Sequence, residues 1–296
     1  MTILKTHIVP EGVGDIRLYD YASKIFPTIP SRKAIKKAIA REEIIIDGKK
    51  TSTGWWIKPG QIIELLESSV NPPKAYQLKL EVVYEDEYLA VINKPAGISV
   101  SGNQFRTIQN ALIDNIKPSN AKDALRWPKP VHRLDNPTSG LLIIAKTAKT
   151  LVKLGQQFEK KEIKKKYCAI VVGQAPADGI INTEIEELVA ETAYKTKRVV
   201  PSLKNEFLSL LELIPQTGRT HQIRIHLSKL GYPILGDKLY GNKGEILKGK
   251  GLFLCATGLQ LKHPITDKVI VIKLPIPYKF EALLDREKRR WKKYNG

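Results

Sequence analysis

The apolar runs YLAVINKPAG, LLIIAK, KKYCAIVVG, NEFLSLLELI and KVIVIKLPIP follow one another without an amphipathic helix between every pair. Parallel strands need a crossover of a dozen or more residues, usually a helix, whereas antiparallel neighbours need only a turn. The pattern therefore predicts an α+β domain with a largely antiparallel mixed sheet flanked by helices, not a doubly wound parallel one. Within it, LKLEVVYEDEYLAVINKPAG reads as two strands turning at Glu85 to Glu87. A helix opening at Thr147 places Leu151, Leu154 and Phe158 on one face, and RTHQIRIHLSKLG reads as a helix closed by Gly231.

The front of the chain has a different texture. Residues 15–67 read as a small α/β unit: a short helix at RLYDYASKIF, a helix at SRKAIKKAIAREE capped by Ser31, a strand IIID, a turn at Asp47 and Gly48, and a strand GQIIELLE. Ala34, Ile35, Ala38 and Ile39 share one side of the second helix, leaving Arg32, Lys33, Lys36 and Lys37 largely on another. The aperiodic Ser, Asn and Pro stretch over residues 68–78 is read as a linker, residues 79–285 as the second domain, and residues 286–296, with six basic residues and one acidic, as a basic tail.

Charge narrows the partners. Against 30 Asp and Glu stand 49 Lys and Arg, a net charge of +19, which favours a polyanion, nucleic acid first. No apolar stretch is long enough to span a bilayer, and the first residues lack a signal-peptide pattern, so a cytoplasmic protein with no membrane partner is expected. Cys168 and Cys255 are too few for a disulfide scaffold or a cysteine zinc site and are expected as buried, reduced thiols. GVGDIR is a turn, not a dinucleotide fingerprint, and there is no phosphate-binding GxxxxGK[ST] loop, GxSxG elbow or HExxH pair. His221 and His226, five apart on a helix, do not share a metal-binding face. The chain shows no need for a metal or a cofactor.

What remains is a carboxylate in basic company. In VHRLDNPTSGLL, residues 131–142, Asp135 either makes an Asx turn with the backbone of Pro137 or Thr138 or serves chemistry. A donor-rich cluster, TGRTHQIR, follows about 80 residues later, and Arg219 at its helix start is placed to hold a buried Asp ionised.

Several stretches resemble a known family. HRLDNPTSGLLIIAKT, KKYCAIVVG, TGRTHQIRIHLSKLGYPILGDKLYG and FLCATGLQLKHP, in that order and with LAVINKPAGISV ahead of them, are similar to the pseudouridine synthases of the RluA type. RLYDYA, SRKAIKKAI, EEIIIDGKK and IKPGQIIEL resemble the alpha-L RNA-binding domain, with Asp47 where an uncharged Asn is common. The resemblance implies that Asp135 is the catalytic aspartate for converting uridine in RNA to pseudouridine. It further implies that Arg219 pairs with Asp135, that Tyr167 packs on the uracil and takes the proton from its carbon 5, that Arg133 borders the space the base vacates, and that Leu254 walls the pocket. Arg32, Lys33, Lys36 and Lys37 would then face RNA backbone. Ribosomal RNA of the large subunit is the favoured target and transfer RNA the alternative, with the protein a monomer. The competing reading is a non-catalytic RNA-binding or ribosome-associated protein. Ser101 stands where the family often has His, and Cys168 where a larger apolar residue is frequent.

Overall fold

A computed structural model of the chain describes residues 2–29, 31–67, 74–241 and 250–295. Most of the expected linker, residues 68–73, and the last residue of the tail lie outside them.

The first part contains β1 (Ile3–Ile8), α1 (Leu18–Ile25), α2 (Arg32–Ala40), β2 (Ile44–Ile46), β3 (Lys49–Lys50) and β4 (Ile62–Leu66). The strands form one sheet in the order β1-β4-β2-β3. Ser31 caps α2, its hydroxyl accepting from the Ala34 N–H at 3.2 Å, and α2 buries Ile35, Ala38 and Ile39. These pack with Leu18, Ala22, Phe26 and Ile63 into a core separate from those of the larger sheet. Asp47 and Gly48 both have positive φ, as a tight hairpin turn between twisted strands requires. The Asp47 carboxylate accepts from the Ile62 N–H at 2.8 Å, so the charge that departs from the alpha-L pattern ties the turn to β4. The sheet also reaches back to β1, ahead of the segment read from residue 15, because the alternation of β1 is too exposed to signal a strand.

The larger part runs through β5 (Glu81–Glu85), β6 (Leu89–Lys94), α3 (Ile108–Asn115), β7 (Ala124–Pro130), β8 (Ser139–Thr147), α4 (Ala148–Glu159), β9 (Lys164–Val172), β10 (Asp178–Ile181), β11 (Thr192–Ser202), β12 (Glu206–Pro215), α5 (Gln222–Lys229), β13 (Leu254–Lys262), β14 (Val269–Lys273) and α6 (Tyr278–Asn295). One ten-stranded sheet has the order β10-β11-β12-β9-β13-β8-β6-β5, with β14 on β13 and β7 on β8. Every pairing is antiparallel except β13 with β8.

The apolar runs follow from burial on both faces. Ala90, Ile92, Leu142 and Ile144 join a core containing α3, while Leu89, Val91, Leu141 and Ile143 join another containing Leu154 of α4. Covering both faces makes each run continuous instead of alternating. On the other side of β13, strands β9, β11 and β12 pack with α5 and α6 into a third core. Helix α6 continues from Tyr278 to Asn295, so the expected boundary at 285 falls inside one helix. Phe280, Leu283, Leu284 and Glu287 hold its first half down, and its basic half extends from that anchor. No helix among the described residues is long and apolar enough to cross a membrane.

Candidate active site

Asp135 lies on the loop entering β8, and the local fold fixes that loop from below. Lys94, at the end of β6, is fully buried. Its ammonium donates to the carbonyls of Thr138 at 2.7 Å, Pro95 at 2.9 Å and Asn136 at 3.1 Å, using all three protons on backbone. Burial brings the Lys94 pKa down to about 8, against the pull of the Asp135 charge. The turn closes through the Thr138 N–H to the Asp135 carbonyl at 3.0 Å. Gly140 follows with φ +112°, where a β-carbon would stand 2.2 Å from the Ala256 carbonyl oxygen. Only glycine lets β8 approach β13 this closely.

Among the described residues the Asp135 side chain faces α5. Its Oδ2 lies 3.5 Å from an Arg224 Nη1, and its Oδ1 lies 3.8 Å from Nε2 of His221. Arg224 is locked from its other side, where Nε and Nη2 donate to the two oxygens of Asp237 at 2.7 and 2.8 Å. Burial opposes the guanidinium charge, but the hydrogen bond and charge of Asp237, joined by Asp135, raise the Arg224 pKa. Burial likewise works against the Asp237 carboxylate. Arg224 and the N–H groups of Leu239 and Tyr240 outweigh it and hold the carboxyl below its usual range.

The arginine beside Asp135 is therefore Arg224, and the expected pairing with Arg219 does not form. The helix begins three residues later than the sequence suggests. The Gln222 side-chain oxygen accepts from the Thr217 hydroxyl at 2.6 Å and the Arg219 N–H at 3.0 Å, gathering 217–221 into a turn. His221 then takes a left-handed conformation, φ 55°, its Nδ1 3.0 Å from the Tyr240 hydroxyl. Arg219 consequently points away from Asp135 and donates from Nε to the Val189 carbonyl at 3.2 Å. The missed signal was the buried face of α5, on which Arg224 shares space with Ile223 and Leu227. A charged residue at a core position calls for a carboxylate, and Asp237 supplies it.

Two cavities meet at Asp135. The larger, about 780 Å³, is bordered on its polar side by Lys238, Lys250 and Lys279. The smaller, about 320 Å³, is lined by Tyr167, Leu254, Lys165 and Arg219. Arg133, Leu134, Asp135, His221 and Arg224 border both. The fold thus brings Asp135, Arg133, Tyr167, Leu254 and Arg219 around one hollow. Burial first, and the Asp135 charge second, push the Tyr167 phenol well above its ordinary pKa. A neutral aromatic ring faces the cavity. His132 accepts the Ile143 N–H at 3.0 Å, and burial drives its pKa down to about 3, so it is a neutral structural acceptor. Arg32, Lys33, Lys36 and Lys37 are exposed along α2, around the separate core and away from both cavities. Arg32 reaches Asp20 at 2.5 Å.

Comparison with known proteins points one way. Residues 88–229 match the family model described as RNA pseudouridylate synthase. The chain is 34% identical over 264 residues to an uncharacterized RNA pseudouridine synthase, YhcT, of Bacillus subtilis, covering 83% of this chain and 86% of that one. It is 33% identical to the ribosomal large subunit pseudouridine synthase C of Buchnera aphidicola, covering 93% and 95% respectively. Among solved structures, human RNA pseudouridylate synthase domain containing 4 superposes with a TM-score of 0.56 at 25% identity, over 70% of this chain and 92% of that one.

Proposed function

This chain belongs to the RNA pseudouridylate synthase family, and from that premise we propose that its target is large-subunit ribosomal RNA and that Asp135 carries the reaction. The enzyme converts uridine in RNA to pseudouridine. The bond between N1 and the ribose C1′ breaks, a bond between C5 and C1′ forms, C5 loses a proton and N1 gains one. No atom is gained or lost overall: Asp135 serves the breaking and re-forming of the bond to C1′, and the other residues hold, turn and deprotonate the base.

The observation that carries the assignment is Asp135 at the meeting point of two cavities, with Arg224 beside it and Asp237 behind. Arg224 cannot lose its proton, and its second carboxylate stops it from swinging away. Asp135 is thereby presented as an oriented carboxylate toward the ribose. A base must leave its stack to reach it, at a cost of a few kcal/mol that phosphate contacts and stacking offset. Arg133 and Arg219 border the smaller cavity and supply cations for the phosphates of the flipped nucleotide. Leu254 walls the apolar side. Tyr167 offers a neutral ring for the uracil to pack on, and a role for its oxygen in removing the C5 proton requires its own proton to leave in the same step. A dry pocket also matters because water attacking the sugar would leave an abasic site.

Residues 15–67, extended by β1, serve as an alpha-L RNA-binding module, with Arg32, Lys33, Lys36 and Lys37 on RNA backbone. The ribosomal target is supported by relatives named as ribosomal large subunit pseudouridine synthases, including the Buchnera protein and the synthases C of two Rickettsia species. A cytoplasmic site of action fits two buried free thiols, and the reaction needs only a monomer.

The test is tritium release from C5-labelled uridine in unmodified ribosomal RNA without a methyl donor, comparing wild type with Asp135→Ala. Wild type releases tritium and the variant does not, while its RNA affinity stays within about threefold. Absence of release by wild type from free ribosomal RNA and from precursor particles overturns the target. Release by the variant overturns the role of Asp135.

A further inference from the structure

The chain has four tryptophans, and two of them, consecutive in sequence, are exposed on the small unit. Trp55 is 44% exposed and Trp56 47%. Single exposed apolar residues need no explanation, but two consecutive exposed indoles, one of them held under a guanidinium, are a costly surface unless something stacks on them. Neither tryptophan belongs to the small unit's core, which takes the next residue, Ile57, instead.

The patch is rigidly built and surrounded by cations. The Trp55 carbonyl accepts the Leu18 N–H at 2.9 Å, and the Ile57 N–H donates to the Ile16 carbonyl at 3.2 Å, pinning the strand-like stretch against the start of α1. Arg17 lies with its guanidinium 4.0 Å from the centre of the Trp56 ring and also donates to the Gly54 carbonyl. Arg17 occupies one face of that indole while nearly half of the residue stays open. Lys58 is exposed two residues on. From Arg17 the contacts run on through α1: the Lys36 ammonium sits 4.2 Å from the Tyr19 ring centre, and Arg32 holds Asp20. The tryptophans thus adjoin, through Arg17, the start of α1, whose next residues contact Lys36 and Arg32 of α2.

We propose that Trp55 and Trp56 form a stacking platform for unpaired nucleobases of the RNA, continuous with the basic face that takes its backbone. The proposal rests on the RNA reading above and adds a second contact point, outside both cavities. Indole faces stack on any base, and neighbouring Arg and Lys hold the phosphates between stacked bases. Stacking also explains why the patch is aromatic instead of aliphatic. The net positive charge around it favours a polyanion.

The experiment uses the full-length protein and a single-stranded oligoadenylate, which contains no uridine and so cannot be a substrate. Binding is followed by indole fluorescence and by filter retention at several salt concentrations, for wild type, the double variant Trp55→Leu with Trp56→Leu, and the double variant Trp55→Phe with Trp56→Phe. Leu keeps apolar bulk and removes the π face; Phe keeps the face. Wild type binds with quenched fluorescence, the Leu variant binds about tenfold or more weakly, and the Phe variant stays within about threefold of wild type. The slope of log Kd on log salt is the same for all three, because no phosphate contact is removed.

Equal affinity of the Leu variant, with wild type still releasing tritium from ribosomal RNA, overturns the platform and leaves the enzyme assignment standing. Loss of both binding and release in wild type overturns the RNA reading itself. A Leu variant with unchanged oligoadenylate affinity but a smaller sedimenting species identifies the patch as a contact between copies of the chain and overturns the platform.

Discussion

Replacing Arg224 by Met tests the central arrangement, because the structure fixes both the size and the sign of the effect. The Arg224 side chain is 4% exposed and that of Asp237 fully buried, so solvent cannot take over when the guanidinium goes. Breaking a buried pair from one side costs about 3–5 kcal/mol. With an m value of about 2 kcal/mol/M, the urea midpoint at pH 7.5 falls by about 1.5–2.5 M. The pH dependence is more telling. In wild type the Asp237 carboxyl is held below its usual range, so its contribution is present above about pH 3.9 and is lost only as pH falls through the lowered folded value. Without Arg224 burial wins and the shift reverses. A raised carboxyl penalises the folded state increasingly above about pH 3.9, and lowering the pH relieves it. The gap between variant and wild type, measured by urea unfolding under circular dichroism, therefore narrows by about 2 kcal/mol between pH 7.5 and pH 5. A gap that stays constant, or one below about 1 kcal/mol at pH 7.5, refutes the reasoning. Adding Asp237→Leu to Arg224→Met removes both charges. Stability then recovers toward wild type, while tritium release stays absent because Asp135 still lacks its arginine.

Two further expectations follow from geometry and burial. Gly140→Ala forces a β-carbon to 2.2 Å from the Ala256 carbonyl at φ +112°, so its melting temperature falls by more than about 5 °C, equivalent to roughly 2 kcal/mol or more; an unchanged melting curve contradicts the close approach of β8 and β13. His132, with its pKa pushed down to about 3 by burial, contributes stability that is fully present above about pH 6.5 and is lost as pH falls from there toward 3. In His132→Gln, which keeps an acceptor for the Ile143 N–H, the stability lost between pH 7.5 and pH 5 should shrink by about 2 kcal/mol, and an undiminished loss places the acid sensitivity elsewhere.

Much of this was legible in the sequence where local chemistry decides the outcome. Ser31 and Thr147 cap α2 and α4 as their residue types suggest, Gly231 ends α5 with positive φ, and the turn at Glu85 to Glu87 joins β5 to β6. The family and its reaction were legible too, because the stretches around Asp135 and Arg219 are long. Which arginine meets Asp135 was not, since it depends on where α5 starts. That start is set by the Gln222 side chain folding back on Thr217 and Arg219, a contact with no periodicity to betray it. Strands β1, β10 and β11 were also silent: β1 and β10 are mostly exposed, and β11 alternates with Lys and Arg as an edge-side strand does. Lys94 gave no sign of burial, because its three partners are carbonyls that any sequence carries.

The position of β13 determines when the active site can exist. It lies between β9 and β8, although it is made more than 80 residues after the nearer of them. During synthesis the chain therefore carries two unfinished sheets, one ending at β8 with Asp135 at its mouth, the other at β9 with Tyr167 on it. Each presents an open edge until residues 254–262 emerge and join them. Asp135, Tyr167 and Arg224 are all translated before the two walls of the candidate site are brought together. The cell thus holds no competent enzyme on a ribosome that has yet to finish this strand, and a chain cut short before it loses the site entirely, with two edges free to pair with other chains.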